Sequence, residues 1–178
     1  MQSLPMFAPA SSLSPPSVSG SLWVVQLHAH PAYDHVCLQR VFTADGPRHE
    51  VVIVDLYRLL QCADRDDTDY VLRPVGDWHA GKVRGIREFL DPHNEQVPQM
   101  PYVTISTRRA TGLAGWLRLA HVGVVAFHNG QHRARYLAWA GAECLPVEVD
   151  EREAPLLRAL CGVSDADEAV TVQYAGGV

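Results

Sequence analysis

The segment from Val122 to Val149 restricts the possible fold more than any other part of the chain. Val122 to Phe127 is short, apolar and rich in β-branched residues, which predicts a buried strand. Asn129-Gly130 follows as a strong turn signal, because both residues tolerate positive φ. Gln131 to Ala140 contains good helix formers and is followed by a glycine, the preferred residue after a helix end. An extended pattern resumes at Leu145, so we predict a strand, a glycine turn, a helix and a second strand in immediate succession.

The predicted glycine turn has a chemical consequence. A turn that opens a helix directs the first unpaired N–H groups of that helix at one point, and such a point favours an anion. His132, Arg133 and Arg135 lie in or beside the first helical turn and add side-chain donors. The spacing alone leaves two interpretations open, a phosphate site and an ordinary β-α-β unit with surface arginines, because one glycine and two arginines are not specific.

The same loop resembles the nucleotide-binding loop of the ParB/sulfiredoxin superfamily. Residues 130–133 read Gly-Gln-His-Arg, where sulfiredoxins have Gly-Cys-His-Arg and ParB partition proteins have Gly-Glu-Arg-Arg. Residues 97–105 (VPQMPYVTI) resemble the Pro-x-x-Val strand that precedes this unit in the superfamily. Together the similarities cover roughly residues 80–150.

Within that superfamily the chain is most similar to the plasmid fertility inhibition factors, the Osa-like group. The similar stretches are residues 78–90 (WHAGKVRGIREFL), residues 97–101 (VPQMP) and residues 127–133 (FHNGQHR). The resemblance implies an α/β (α+β) fold of the ParB/sulfiredoxin type, in which helices surround a small mixed sheet. It also implies a plasmid-encoded, cytoplasmic bacterial factor that suppresses conjugative DNA transfer through a type IV secretion system.

One position departs from the superfamily pattern. Gln131 stands where sulfiredoxins have their catalytic cysteine. Because that repair chemistry needs a thiolate nucleophile, we do not expect sulfiredoxin activity. Gln131 also replaces the ParB glutamate, which leaves metal-assisted nucleotide hydrolysis by the ParB route open to question.

The superfamily includes proteins that hydrolyse ATP or CTP, and nucleases. The resemblance therefore implies a bound nucleotide, ATP or CTP, with Mg²⁺ at the glycine turn. In this hypothesis the catalytic residues are His132 and Gln131, and no residue is assigned as a metal ligand. The implied nucleotide-binding residues are Asn129, Gly130, Gln131, His132, Arg133, Lys82 and Arg84.

Two classes of function remain open at this point. The first is a Mg²⁺-dependent nucleotide hydrolase (ATPase), with DNA cleavage (DNase) as a further activity. The second is a non-enzymatic interaction module that uses the same fold to occupy a component of the secretion system, such as the coupling protein or the relaxosome. Measured turnover, as opposed to binding alone, would discriminate between them.

The charge of the chain is distributed unevenly. The net charge is −5, which argues against a general nucleic-acid binder. Residues 71–135 nevertheless carry nine Lys and Arg against four acids, whereas the segments before and after them are acidic. This distribution is either a chance feature of a solvated surface or the mark of an anionic ligand. If DNA is bound, the candidate contacts are Arg84, Arg87, Arg108 and Arg109.

Length and composition indicate one domain. The 178 residues divide into a Ser/Pro-rich flexible arm at 1–20 and a single domain at 21–178. No apolar run approaches the roughly 20 residues of a membrane span, and the N-terminus does not resemble a signal peptide. The four cysteines lack Cys-x-x-Cys spacing, so reduced core thiols are expected, which agrees with a cytoplasmic location.

The remaining elements follow from periodicity and turn signals. Asp55 is predicted to cap a short helix, and residues 63–69 form an acidic loop. Strands are predicted at 22–27, at 35–43 and 49–54 as a hairpin about a turn at 44–47, and at 71–75, 102–106 and 169–174. Further helices are predicted at 81–90, 113–119 and 151–160.

A rival site follows the first predicted strand. His28, His30, Asp34 and His35 resemble the His-x-His-x-Asp-His ligands of metallo-β-lactamase-like hydrolases, since imidazoles two residues apart on an extended chain can share a zinc ion. The spacing is two residues too long and the chain is short for that fold. A His-rich metallohydrolase is therefore a remote alternative to ordinary loop histidines.

Overall fold

The computed structural model of the protein describes residues 21–42, 48–66, 72–109 and 121–163, and the backbone of residues 170–174. The predicted arm at 1–20, the turn at 44–47, the helix at 113–119 and the last part of the acidic loop lie outside these ranges.

Within the described ranges, seven strands form two sheets. In chain order the strands are β1 (Ser21–Gln26), β2 (His35–Leu38), β3 (His49–Asp55), β4 (Tyr102–Arg109), β5 (His121–Asn129), β6 (Cys144–Asp150) and β7 (Val170–Tyr174). The smaller sheet has the order β2-β1-β7 and is antiparallel throughout. The larger sheet has the order β3-β6-β4-β5 and is mixed, because β4 runs parallel to β6 while the other pairs are antiparallel.

Four α-helices and one 3-10 turn are described between these strands. The helices are α1 (Leu56–Ala63), α2 (Ala80–Phe89), α3 (Gln131–Trp139) and α4 (Ala154–Cys161), and the 3-10 turn is Val75–Asp77. The predicted cap of α1 is confirmed, because Asp55 Oδ1 accepts from the Arg58 N–H at 2.9 Å. Of the helices within the described ranges, none is long and apolar enough to cross a membrane.

The centre of the core is β6. All six residues from Cys144 to Val149 are buried, because β3 flanks this strand on one side and β4 on the other. The sequence predicted that Val122 to Phe127 would be a buried strand, and the predicted burial is wrong. The strand exists, but β5 lies at the edge of the sheet, and only Gly123 and Val125 in this stretch are buried. An edge strand has one paired neighbour and leaves alternate side chains towards solvent.

The predicted fold class is confirmed, with differences in pairing. A small mixed sheet with helices around it is present, but the three-stranded second sheet was not predicted. The predicted hairpin of β2 and β3 is wrong, because β2 pairs with β1 and β3 pairs with β6. The chain after β2 leaves its sheet because the Val41 N–H donates to the buried carboxylate of Glu148 on β6, at 2.6 Å.

Two further expectations differ from the structure. The strand predicted at 71–75 is absent over residues 72–75, where Val75 begins the 3-10 turn. Pro74 precedes that turn and has no N–H to donate to a strand neighbour. The predicted succession of β5, glycine turn, α3 and β6 is present, but the interpretation as an ordinary β-α-β unit does not hold, because β4 lies between the two strands and they run in opposite directions. The terminal strand β7 agrees with its prediction.

Candidate functional site

The predicted glycine turn is present between β5 and α3. Gly130 has φ 77° and ψ 4°, in the left-handed region, and stands at the N-cap of α3. A Cβ atom at this position would lie 2.8 Å from the Pro101 Cα atom, which is too close for any side chain without a shift of backbone. Both the backbone conformation and the close approach of Pro101 therefore require glycine here. No side chain caps this end of α3, so the first N–H groups of the helix remain available to a ligand.

Arg133 and Asn129 fix the shape of this turn. The guanidinium of Arg133 donates to the carbonyl of Gln99, and also to Asn129 Oδ1 at 3.3 Å. Asn129 Oδ1 in turn accepts from the Tyr102 N–H at 2.9 Å. Burial lowers the pKa of the Arg133 guanidinium. Asn129 thus ties the loop to the first residue of β4, and Arg133 ties it to the segment before that strand. The sequence had predicted only nucleotide binding for both residues.

A pocket of about 370 Å³ opens beside Arg133. This volume lies within the range of small-molecule sites. Phe89, at the end of α2, lines it and is 46% exposed. Arg133 is the only charged group among the described residues that line it. The remaining lining residues are Gln39, Gln96, Val97, Pro98 and Gln99.

Next to the turn, Lys82 and His132 both lie against the ring of Trp78. Lys82 Nζ lies 4.4 Å from the centroid of the Trp78 ring, in a cation–π contact. The His132 ring lies 5.5 Å from the same indole, centroid to centroid. Burial, followed by the charges of Lys82 and Arg135, lowers the pKa of His132. The lowered pKa favours the neutral imidazole, the form that can accept a proton.

Gln131 and Arg84, the other two residues predicted to bind nucleotide near this point, occupy different positions from Trp78, Lys82 and His132. Gln131 is the first residue of α3 and is partly buried. Arg84 is exposed on α2 and pairs with Glu88 at 3.9 Å. Because residues two apart on a helix do not share a face, Lys82 can contact Trp78 while Arg84 points away from it. The structure thus brings Lys82 to the turn and leaves Arg84 on the outer side of α2.

The four arginines proposed to contact DNA lie in two places. Arg84 and Arg87 are on α2, which packs near α3. Arg108 and Arg109 are at the other end of β4, where Arg109 is paired with His121. The length of β4 places these two about 20 Å from the glycine turn. The four side chains therefore do not form one continuous basic surface.

His30 and His35, which follow β1, make contacts with nearby side chains and backbone. The His30 ring is stacked on Tyr33 at 3.8 Å, and its Nε2 lies 2.9 Å from the Tyr136 hydroxyl. His30 Nδ1 accepts from the Tyr33 N–H at 3.2 Å. His35 Nδ1 lies 2.7 Å from Asp34 Oδ1. Within the described ranges no group of three or more possible metal ligands occurs, so these contacts do not support the metallohydrolase interpretation.

Two features of the structure were not found from the sequence. Glu148 is fully buried, and its carboxylate accepts from Arg40 Nε at 2.8 Å. A single glutamate in an alternating strand carries no local signal of burial.

The second feature is a groove of about 400 Å³ between α1 and α3, bordered by Tyr57, which is 72% exposed. Trp139, 53% exposed, projects from the end of α3.

Comparisons with known proteins give two similarities. The profile of a family described as Plasmid Fertility inhibition factor matches residues 51–162. A crystal structure of Oncogenic Suppression Activity Protein, a plasmid fertility inhibition factor, determined as a gold(I) cyanide derivative, is similar with a TM-score of 0.61. The two sequences are 17% identical, and the similarity covers 90% of this chain and 78% of that one, which shows a shared fold. The comparison with curated proteins gives no match.

Proposed function

This chain belongs to the plasmid fertility inhibition factor family, as its sequence predicted, and we propose that it suppresses conjugative DNA transfer through a type IV secretion system by means of a nucleotide site at the Gly130 turn. The observation that carries the nucleotide site is the uncapped start of α3 behind a left-handed glycine. Its relation to the ParB/sulfiredoxin superfamily remains a prediction from the loop sequence.

The phosphate would lie against the first N–H groups of α3. These groups carry the positive end of the helix dipole, which stabilises an anion. Lys82 is held beside them through its contact with Trp78 and supplies a full positive charge. No acidic residue occurs in the first turn of α3, so nothing at that point repels a phosphate. The donor set therefore fits an anionic ligand such as ATP or CTP.

Arg133 has a positioning role in this proposal. Two of the five N–H donors of a guanidinium group reach Gln99 and Asn129. These bonds hold the glycine turn against the start of β4, and the rest of the group faces the adjacent pocket. Arg133 would thus orient the turn and add charge to the pocket at the same time.

The residues for hydrolysis are His132 and Gln131. The neutral His132 imidazole can accept a proton from an attacking water near pH 7. Gln131 has no titratable group, and its amide can orient that water. Mg²⁺ would supply charge neutralisation on the phosphates, and because the first turn of α3 holds no carboxylate, the ion would arrive with the nucleotide.

A second candidate function is a non-enzymatic interaction module. The groove beside Tyr57 and the exposed Trp139 favour it, because exposed aromatic side chains are typical anchors of protein interfaces. The partner would be a component of the conjugation machinery, the coupling protein or the relaxosome.

Calorimetry and a phosphate-release assay with the purified chain test the two functions. The nucleotide proposal expects saturable binding of ATP or CTP, and release of phosphate that EDTA abolishes. A His132→Ala variant should bind the nucleotide but release phosphate much more slowly. Equal release by wild type, by this variant and in EDTA would indicate a contaminating hydrolase and would favour the interaction module.

A further inference from the structure

Two of the four cysteines lie side by side in the interior. Cys62 is in the last turn of α1, and Cys161 is the last residue of α4. Their Sγ atoms are 3.7 Å apart, although the residues are 99 positions apart in the sequence. Both are free thiols and both are buried. The fold therefore creates a vicinal dithiol that the spacing of the cysteines did not reveal.

The two sulfur atoms of the pair have different hydrogen-bond partners. The Cys161 thiol donates to Cys62 Sγ, and Arg65 Nη1 also donates to Cys62 Sγ, at 3.5 Å. These two donors lower the pKa of Cys62 against the opposing effect of burial. The pKa of Cys161 is raised, because its proton is held by Cys62 and because it is buried. Of the two sulfur atoms, Cys62 Sγ is thus the one that loses its proton more easily, as a cysteine beside an arginine does.

Arg65 is itself held in place by the sheet. Its Nη1 donates to the carbonyl of Gly123 on β5 at 3.2 Å, as well as to the thiol. A Cβ atom at Gly123 would lie 3.5 Å from Cys62 Sγ and 2.6 Å from Leu160 Cδ1. Glycine here gives room for Leu160 to pack over the strand beside the pair. Leu160 is 37% exposed, so a thin cover separates the dithiol from solvent on this side.

We propose that Cys62 and Cys161 are a redox-active pair that a hydroperoxide oxidises to an internal disulfide. The Cys62 thiolate attacks one peroxide oxygen; an S–O bond forms, the O–O bond breaks, and hydroxide leaves from hydrogen peroxide or alkoxide from an organic hydroperoxide. The Cys161 sulfur then attacks the Cys62 sulfenic acid, so that the S–S bond forms, the S–O bond breaks and the Cys161 proton leaves with the hydroxyl as water. The peroxide gains two electrons and the two thiols lose them.

The two sulfur atoms are already close to bonding distance. A disulfide needs the sulfur atoms about 1.7 Å closer than they are. Both cysteines lie at helix C-termini, where the last turn has unpaired carbonyls and adjusts most easily. The bond would join the ends of α1 and α4 and enclose the long intervening chain. Since a cross-link across a long loop restricts the unfolded state, the oxidised protein should melt at a higher temperature.

The test uses the full-length reduced protein. It is treated with a small excess of hydrogen peroxide, quenched with catalase and alkylated in denaturant with N-ethylmaleimide, and its mass is measured. We expect two adducts in place of the four of the untreated chain. A non-reducing peptide map should show Cys62 joined to Cys161, and dithiothreitol should restore four adducts.

Variants assign the two roles. A chain carrying Cys37→Ser and Cys144→Ser is the matched control and should still lose both remaining thiols. In Cys161→Ser the reaction should stop at the Cys62 sulfenic acid, which dimedone traps. Four adducts after treatment would overturn the proposal, as would a disulfide between other cysteines, a disulfide only between two chains, or overoxidation of Cys62 without a link to Cys161. The wild-type peptide map decides the matter even if a variant fails to fold.

Discussion

Replacement of Gly130 by alanine should damage the structure on which the nucleotide proposal depends. The residue has φ 77°, and a non-glycine residue in this region costs roughly 1–2 kcal/mol. The new Cβ would also lie 2.8 Å from Pro101 Cα, a backbone atom that cannot move away by side-chain rotation. Relief of such an overpacked contact typically costs about 1–3 kcal/mol. The two effects together predict a loss of about 2–5 kcal/mol in the free energy of unfolding.

Gly85→Ala is the matched control. Gly85 lies inside α2, and a Cβ atom there would have no heavy atom within 4 Å. Alanine is favoured over glycine in a helix interior by about 1 kcal/mol, so this variant should be as stable as the wild type or more stable. The same chemical change is thus expected to have opposite effects at the two positions.

Urea unfolding followed by circular dichroism measures both variants, and calorimetry with ATP measures the second consequence. A shift of the turn would turn the first N–H groups of α3 away from the phosphate, so Gly130→Ala should also bind nucleotide more weakly under conditions in which it remains folded. An ordinary surface substitution changes the free energy of unfolding by up to about 0.5 kcal/mol. If Gly130→Ala changes it by no more than this, the close packing of the turn against Pro101 would be refuted.

Further predictions concern other groups of the site and the core. His132→Ala should lower turnover far more than nucleotide affinity, and equal losses of both in kinetics and calorimetry would remove its role in proton transfer. Arg133→Ala should weaken ATP or CTP binding by about 1.5–3 kcal/mol, the value of a charge-assisted hydrogen bond, and unchanged affinity by calorimetry would contradict that. Glu148→Ala should destabilise the fold by about 3–5 kcal/mol in urea unfolding, because the Arg40 guanidinium and the Val41 N–H both lose the buried carboxylate to which they donate; a loss under 1 kcal/mol would show that these bonds are unimportant. DNA affinity, if measurable, should fall by about 0.9 log unit per phosphate contact for each log unit of salt, and if Arg87→Ala leaves that slope unchanged, α2 does not contact DNA.

Local signals in the sequence were sufficient to predict the backbone elements of the candidate site. The turn at Gly130 and the start of α3 depend on residues adjacent in the chain, and the structure has them where they were predicted. Asp55 as a helix cap was found for the same reason. The contacts of the Arg133 side chain with Gln99 and Asn129, in contrast, were not predicted.

Pairing between distant segments was not accessible in the same way. The alternating pattern around β2 and β3 indicates two strands but not their partners, and the contact that directs the chain after β2 towards β6 involves Glu148, more than 100 residues away. The edge position of β5 likewise depends on β4 separating it from β6.

The same limit applies to the arginines. Their number predicted a basic middle segment, but the helix period of α2 and the length of β4 decide which of them face the turn. The approach of Cys62 to Cys161 is also a product of tertiary packing, and no spacing rule would have found it.

The most direct test of the nucleotide site is an NMR titration of the ¹⁵N-labelled protein with ATP and with CTP in the presence of Mg²⁺. The account predicts that the backbone amide signals of Gln131, His132 and Arg133 shift in a saturable manner, and that a Lys82→Ala variant needs more nucleotide for the same shift. Amides of these three residues that stay unmoved at millimolar nucleotide, or that stay unmoved while other signals shift, would contradict a phosphate site at the Gly130 turn.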